Sequence, residues 1–482
     1  MRELTERALG VAKRRGATHA EVRVVDLTTQ VLSVRNGRVA QSSWGETAGV
    51  GVRVIVDGSW GFAAGAKLTK PEIEKTARKA VEVARASASL RSGRVDLAPE
   101  PAHQDTWTTP YIEDPFPVPV EQKLALLFSV DKVLRKGRKV AVAETRMDFR
   151  RERILFANSE GAFIRQVLLR SGAGYSVTAS AGGEIQHRSY PCSFGGQHSA
   201  MGYELIGGLG LLENAERIRD EAEALLSAGQ CPSGEKDVII DGPQLALQVH
   251  ESCGHPSELD RVLGMEANFA GTSFMTREKM GRLKYGSSLV NLVADTTLPT
   301  GLATRGFDDE GVAAQRWHIV KDGVLVGYQT SREVAGEAGE NRSRGCARAD
   351  GWWSVPMIRI TNLSLLPGEW ELDDLIADTT DGILLSNNRS WSIDQRRLNF
   401  QFGTEVGWEI KKGKVTRMLK NPTYQGITPK FWGSCDAICD ETHWKPWGLV
   451  NCGKGQPMQV SAMTHGTAPA RFRGVAVGVQ NG

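Results

Sequence analysis

The residues best equipped for chemistry lie in one run, His250-Glu251-Ser252-Cys253-Gly254-His255. Two imidazoles suit a borderline-soft divalent metal such as zinc, and a carboxylate beside the first can accept a proton from an activated water. The histidines stand five residues apart, not four as in H-E-x-x-H. On a straight α-helix, residues four apart differ by about 40° in direction and residues five apart by about 140°. A chelate therefore needs the backbone to absorb one extra residue. A wide π-type turn does this by bringing i and i+5 to one face; ending the helix before the second histidine is the alternative. Gly254 permits either, and Pro256 disfavours the α conformation at His255. His250 and Glu251 are thus expected on the last helical turn, with His255 at or just past its end. Glu258 and Asp260 follow closely and are candidates to hold a ligand imidazole through its second nitrogen.

A catalytic zinc takes three protein ligands. Cys253 lies inside the motif but points away from both histidines, and reads as a small core residue. Cys435, Cys439, His443 and Cys452 form a C-terminal cluster whose residue types suit a structural zinc, although C-x3-C followed by His and Cys matches ribbon or finger spacing only loosely. Without a metal, Cys435 and Cys439 read as buried thiols. Cys452 stands apart in Val450-Asn451-Cys452-Gly453-Lys454-Gly455-Gln456-Pro457, a glycine-rich bend whose backbone can approach a metal closely.

The chain around these residues has 482 positions, too many for one ordinary core, so two domains are expected. A hydrophobic share of 40% and a charged share of 24% are ordinary for a soluble globular protein. A net charge of +3 gives no electrostatic case for nucleic acid. The start lacks the apolar core of a signal peptide, and apolar runs such as 124–128 fall far below a membrane span. Seven cysteines, an odd number, argue for reduced thiols and a cytoplasmic location. The 53 glycines scattered among β-branched residues predict much sheet, with turns and bulges.

The expected fold class is α+β. An N-terminal domain over residues 1–230 puts helices on antiparallel sheets; a C-terminal domain over 231–482 is mostly β with a metal-bearing helix. Leu4, Ala8, Val11 and Ala12 fall at helical spacing, with Gly16 closing the helix. Strands are expected over 21–25, 30–34 and 47–57, with Asn36-Gly37 as a turn. Thr69-Lys70-Pro71-Glu72 opens a helix to about residue 87. Six prolines over 97–120 predict an extended connector between two lobes. A helix over 120–135, strands over 140–149, 153–156 and 163–178, and a turn at 158–161 then repeat the earlier order. Residues 30–38 correspond to 153–161, a possible internal duplication. A charged helix over 214–228 and a linker over 229–234 precede a buried strand at 237–240, and a helix from Gly242 leads into His250. Hairpins are expected over 317–328 and 407–419.

With Glu258 and Asp260 after it, the His250 motif resembles the H-E-x-x-x-H signature of the metal-bearing branch of the TldD/TldE (PmbA) zinc metallopeptidase family. The likeness spans almost the whole chain. Ala20-Glu21-Val22-Arg23 and residues 49–56 look like the family's N-terminal domain. Asp308-Asp309-Glu310-Gly311 with Val324-Leu325-Val326-Gly327-Tyr328, and Thr361-Asn362 with Leu366-Pro367-Gly368, look like its middle. Cys452-Gly453-Lys454-Gly455-Gln456 matches near the end. Pro256 and the Trp- and Cys-rich stretch 429–450 depart from the pattern.

The resemblance implies that His250, His255 and Cys452 ligate Zn2+ and that Glu251 is the general base. It implies a cytoplasmic peptidase hydrolysing short or unfolded peptides inside a closed dimer cavity. The partner would be a TldE/PmbA-like subunit lacking the motif, or a second copy. His465 and Tyr328, in or near family blocks, are candidate oxyanion donors, with ordinary surface or core side chains as the competing reading. Asp308, Asp309 and Glu310 read as a solvated charge run, or as groups near the substrate amine. A substrate pairing as an added strand would explain loose sequence preference. Two other functions compete: a non-catalytic scaffold whose metal shapes an interface, and a zinc amidohydrolase acting on a modified small molecule. Glu251 argues against the first, since a structural site needs no base.

Overall fold

Ala20, Val22, Val24, Leu32 and Val34 alternate along one stretch of chain and are all buried. That period of two makes them one face of a single long strand, β1 (His19–Arg35), where two short ones were expected. The polar interruption at Asp26-Leu27-Thr28-Thr29 keeps its ladder, pairing with Arg150 to Arg153. The computed structural model describes residues 1–90 and 93–478. Its first half runs α1 (Arg2–Arg14), β1, β2 (Arg38–Val56), β3 (Ser59–Gly65), α2 (Lys70–Ala88), β4 (Gln104–Thr108), α3 (Val120–Leu134), β5 (Val140–Asn158), β6 (Phe163–Ala181), β7 (Glu184–Tyr190), β8 (Gln197–Ser199) and α4 (Leu211–Leu225). The strands expected over 140–149 and 153–156 are likewise one, β5.

All eight strands share one sheet, in the order β3-β2-β1-β5-β6-β4, with β7 and β8 also on β6. Helix, two long strands, a short strand and a helix thus occur twice, from α1 to α2 and from α3 to α4, the second unit adding β8 and a helical turn at Glu204–Gly208 before α4. The two units meet where β1 pairs antiparallel with β5, and Thr28 lies opposite Arg151. The strand ends Arg35 of β1 and Asn158 of β5 are 123 residues apart, the same offset as between 30–38 and 153–161. Helices α1 and α2 pack on one end of the sheet through Ala8, Val11, Ile73 and Val81, and α3 and α4 on the other end through Leu127, Val130, Ala215 and Ile218. The proline-rich segment differs from the expected connector between lobes. Both units belong to one sheet, and β4 within the segment adds to it parallel to β6.

The second half begins with Gly229–Gln230, a short strand on Leu419-Lys420 where a linker was expected. A second sheet follows, built from β9 (Gly234–Ile240), β10 (Asp381–Ile393), β11 (Asn399–Lys411), β12 (Lys414–Lys420), β13 (Thr423–Ile427) and, after the hairpin β14 (Lys445–Lys454) and β15 (Gln459–Thr467), β16 (Ala470–Val477). The order β10-β9-β16-β13-β11 closes into a barrel because β10 also pairs with β11. Helix α5 (Gly242–Val249) leaves β9 with Asp241 as its cap, whose carboxylate accepts from the Gln244 N–H. It packs on the β14–β15 hairpin and on β10. The fold class is α+β with this mostly β second half. No helix among the described residues is long and apolar enough to cross a membrane.

The free face of the first sheet lies against the second half. Trp352 covers β2 so closely that a Cβ on Gly49 would sit 2.3 Å from its ring, and one on Gly51 would sit 2.6 Å from its carbonyl oxygen. The charge run Asp308-Asp309-Glu310 is buried in this contact, not solvated. Glu310 pairs with Arg53 at 2.9 Å and Asp309 with Arg23 at 3.3 Å, both arginines coming from the first sheet. Asp308 accepts from the Glu310, Val312 and Ala347 amides. Asp309 and Glu310 fasten the two halves, which is why a polar sequence pattern misled.

Candidate metal centre

Beyond α5 the chain widens into one π turn, His250–Gly254, in which the His255 N–H donates to the His250 carbonyl. This five-residue step puts both imidazoles on one side, with ring centroids 4.7 Å apart. The structure takes the π-turn alternative, and His255 is helical (φ −61°, ψ −44°) in spite of Pro256. Pro256 starts a 3-10 turn, His255–Ser257, where its missing N–H costs nothing. The turn is braced all round. Gln329 Nε2 donates to the Gly254 carbonyl and to Ser257 Oγ, both at 3.0 Å, and Trp432 Nε1 donates to Ser252 Oγ at 2.9 Å. Cys253 is a fully buried core residue.

The third member arrives from β14. The ligand atoms of His250, His255 and Cys452 all lie within 4.8 Å of one another, and all three residues are buried. His255 Nε2 is 3.5 Å from Cys452 Sγ. A tetrahedral zinc with Zn–N near 2.0 Å and Zn–S near 2.3 Å separates such atoms by about 3.5 Å.

The hydrogen bonds fix which ring nitrogens are free. The Leu363 carbonyl can only accept, so His465 donates to it from Nδ1 (2.7 Å), leaving His465 Nε2 as an acceptor. His250 Nδ1–H then donates to that nitrogen (2.9 Å), and the His250 Nε2 lone pair is left over. His255 Nδ1–H donates to Glu258 Oε2 (2.8 Å), which likewise leaves Nε2. Burial lowers the pKa of both rings, that of His250 to about 4, so both are neutral near pH 7. Burial raises the Cys452 thiol, and the Arg359 guanidinium beside it pulls the other way. Arg359 lies 3.3 Å from Sγ. Two neutral imidazoles and a thiol beside a guanidinium are a donor set that fits zinc.

Other expected residues fall in place differently. Glu258 holds an imidazole as expected, but Asp260 does not. Asp260 receives Lys454 Nζ on both oxygens at 2.8 Å, and the same ammonium lies 3.2 Å from Glu258. Burial raises the Glu258 carboxyl, and Lys454 and His255 overcome this to keep it well below the usual range. Cys452 and Lys454 lie two apart on β14, so one strand face delivers both the thiol and this cation. His465 reaches the centre as the acceptor for His250. Tyr328 does not: its hydroxyl donates to the Met275 and Thr276 carbonyls. Glu251 is buried and forms an ion pair with Arg397, which sits at φ +62° in the loop joining β10 to β11. The supposed C-terminal zinc cluster does not assemble among the described residues. Cys435 and Cys439 are buried thiols pushed up to about 12 by burial, and His443 lies with Glu371 and Asp440 instead.

Lys454, Arg359, Arg397 and Gln329 were not singled out from sequence. Only Lys454 carried a signal, its place two residues after Cys452.

A family profile described as the PmbA/TldA metallopeptidase C-terminal domain matches residues 233–478. The chain belongs to the PmbA/TldA metallopeptidase family. Profiles for the family's domain 1 and central domain match residues 20–84 and 113–226. A metalloprotease of Methanocaldococcus jannaschii is 28% identical over 450 residues, 92% of this chain and 94% of that protein. A zinc metalloprotease TldD homolog of Saccharolobus solfataricus is 23% identical over 461 residues, 93% of this chain and 95% of that protein. The fold is similar to that of TldE from Thermococcus kodakarensis, with a TM-score of 0.75 at 16% identity, over 99% of this chain and all of that one.

Proposed function

We propose that the protein is a zinc-dependent peptidase whose metal is held by His250, His255 and Cys452 and whose general base is Glu251. The observation that carries this is the convergence of three buried ligand atoms, with Nδ1 of each imidazole already committed to His465 or Glu258. Zinc in that position supplies Lewis acidity, which acidifies a water and polarises the scissile carbonyl. The remaining work falls to the chain. His465 and Glu258 hold the two rings in the tautomers that present Nε2. Glu251 takes the proton of the attacking water on a carboxylate oxygen and passes it to the leaving amine, as its place next to His250 allows. Arg397 pairs with the Glu251 carboxylate and sets its direction. Residues 1–230 would form the N-terminal domain and 231–482 the metallopeptidase domain.

The substrate class is short or unfolded peptides, read from the family and from strands able to pair with an extended chain. The likeness to a TldE structure supports a partner of that type, with a second copy as the alternative. Incubating the zinc-loaded chain with an unstructured peptide mixture, alone and with such a partner, tests the reading. New peptide termini that vanish with a chelator are expected. No cleavage in either form, with zinc bound, would refute it and favour a scaffold role.

A further inference from the structure

Between the first sheet and the second half lies a cavity of about 340 Å³, apart from the metal centre. Five of its lining residues are arginines: Arg146, Arg150, Arg170, Arg305 and Arg348. Three have carboxylate partners within the lining. Arg146 pairs with Asp148 at 3.2 Å, Arg150 with Glu152 at 2.8 Å, and Arg170 with the same Glu152 at 3.6 Å. The remaining lining acid, Asp350, is committed to Ser354 Oγ at 2.7 Å and to the Val460 amide at 3.2 Å.

Arg305 and Arg348 are left over. Arg305 is 6% exposed, and its Nε and Nη1 have no hydrogen-bond partner among the described residues. Its nearest acid, Asp309 at 3.5 Å, is shared with Arg23 and with the Ala349 amide. Arg348 is 3% exposed and has no carboxylate partner among the described residues. It donates to the neutral carbonyls of Ala462 and Ile360, and its Nε is unpartnered. Burial pushes the Arg348 guanidinium down, and Arg305, Arg359 and Arg170 beside it push it further. A buried cation that meets only other cations and carbonyl dipoles is costly, and the cost falls when an anion enters. Guanidinium forks match the planar or tetrahedral oxygens of carboxylates and phosphates. Phe149, Trp353 and Val460 add apolar wall for the body of such a molecule.

We propose that this cavity binds an oxyanion, a carboxylate or phosphoryl group received by Arg305 and Arg348, with Arg170 as a third nearby cation. Full-length protein stripped of metal and then dialysed free of chelator, at fixed ionic strength, is titrated calorimetrically with inorganic phosphate and separately with N-acetylalanine, against sodium chloride. At least one anion is expected to bind saturably, one per chain, and which one does so identifies the source as phosphoryl or carboxylate. Arg348→Gln should weaken that binding at least tenfold, and Arg417→Gln, at an exposed residue that does not line the cavity, should not. Should Arg348→Gln fail to fold, Arg305→Lys keeps the charge but loses the fork and should weaken binding to a similar degree. Absence of saturable binding of both anions by the wild-type chain overturns the proposal. So does undiminished binding in either folded arginine variant. No readout depends on hydrolysis, so the result is independent of the peptidase reading.

Discussion

His465→Phe removes the acceptor that fixes His250. Phenylalanine keeps a flat ring of similar bulk in a fully buried position but can neither accept from His250 Nδ1–H nor donate to the Leu363 carbonyl. The His250 ring is then free to turn or to change tautomer, and a buried donor left unpaired costs about 1–3 kcal/mol. Loss of a partner behind a metal-ligating histidine weakens metal binding about 10- to 100-fold, or roughly 1.4–2.7 kcal/mol, the same range. The assay is competition for zinc against a chromophoric chelator, with circular dichroism to show that the variant is folded. His465→Gln is the control, because its amide oxygen can accept from His250 while its NH2 donates to Leu363. Its affinity should fall by much less. A folded His465→Phe variant with wild-type zinc affinity would refute the tautomer chain. If that variant also lost turnover, His465 would be acting on substrate instead.

Glu251→Gln should keep zinc bound and lower peptide hydrolysis by about 10²- to 10⁴-fold, the range general-base catalysis supplies, measured by turnover of a quenched peptide; near-wild-type turnover would remove Glu251 from that role. Asp241, capping α5, has its pKa raised by burial to about 6, against the partial relief from Ser386 and the Gln244 amide. Because the folded-state value lies above the unfolded one, the proton it holds stabilises the fold fully below about pH 4, and this is lost as pH rises to about 6. The full change is up to about 3 kcal/mol. Asp241→Asn keeps the cap and should flatten the decline in thermal midpoint between pH 4 and 6; an unchanged profile would exclude Asp241 as its source.

The His250–His255 motif was legible because its chemistry and its geometry are both local. One extra residue between His250 and His255 demands a π turn or a broken helix, and a π turn is what forms. The repeated element order was legible too, since the ends of β1 and β5, Arg35 and Asn158, share the offset between 30–38 and 153–161. What sequence obscured is what depends on the contact between halves. Asp308 to Glu310 look solvated until Arg23 and Arg53 of the first sheet are laid against them. Thr28 and Arg151 interrupt apolar patterns in isolation but sit inside unbroken ladders. Arg397 and Arg359 reach the centre from 146 and 93 residues away in sequence, and no spacing announces them.

The central claim is that one zinc is held by residues from α5's end and from β14, and the most direct measurement is metal content under native conditions. Mass spectrometry of the intact chain should find one zinc per chain in the wild type and in Cys435→Ser, and little in Cys452→Ser or His255→Ala. Full zinc retained by folded Cys452→Ser, or lost on Cys435→Ser, would contradict the account.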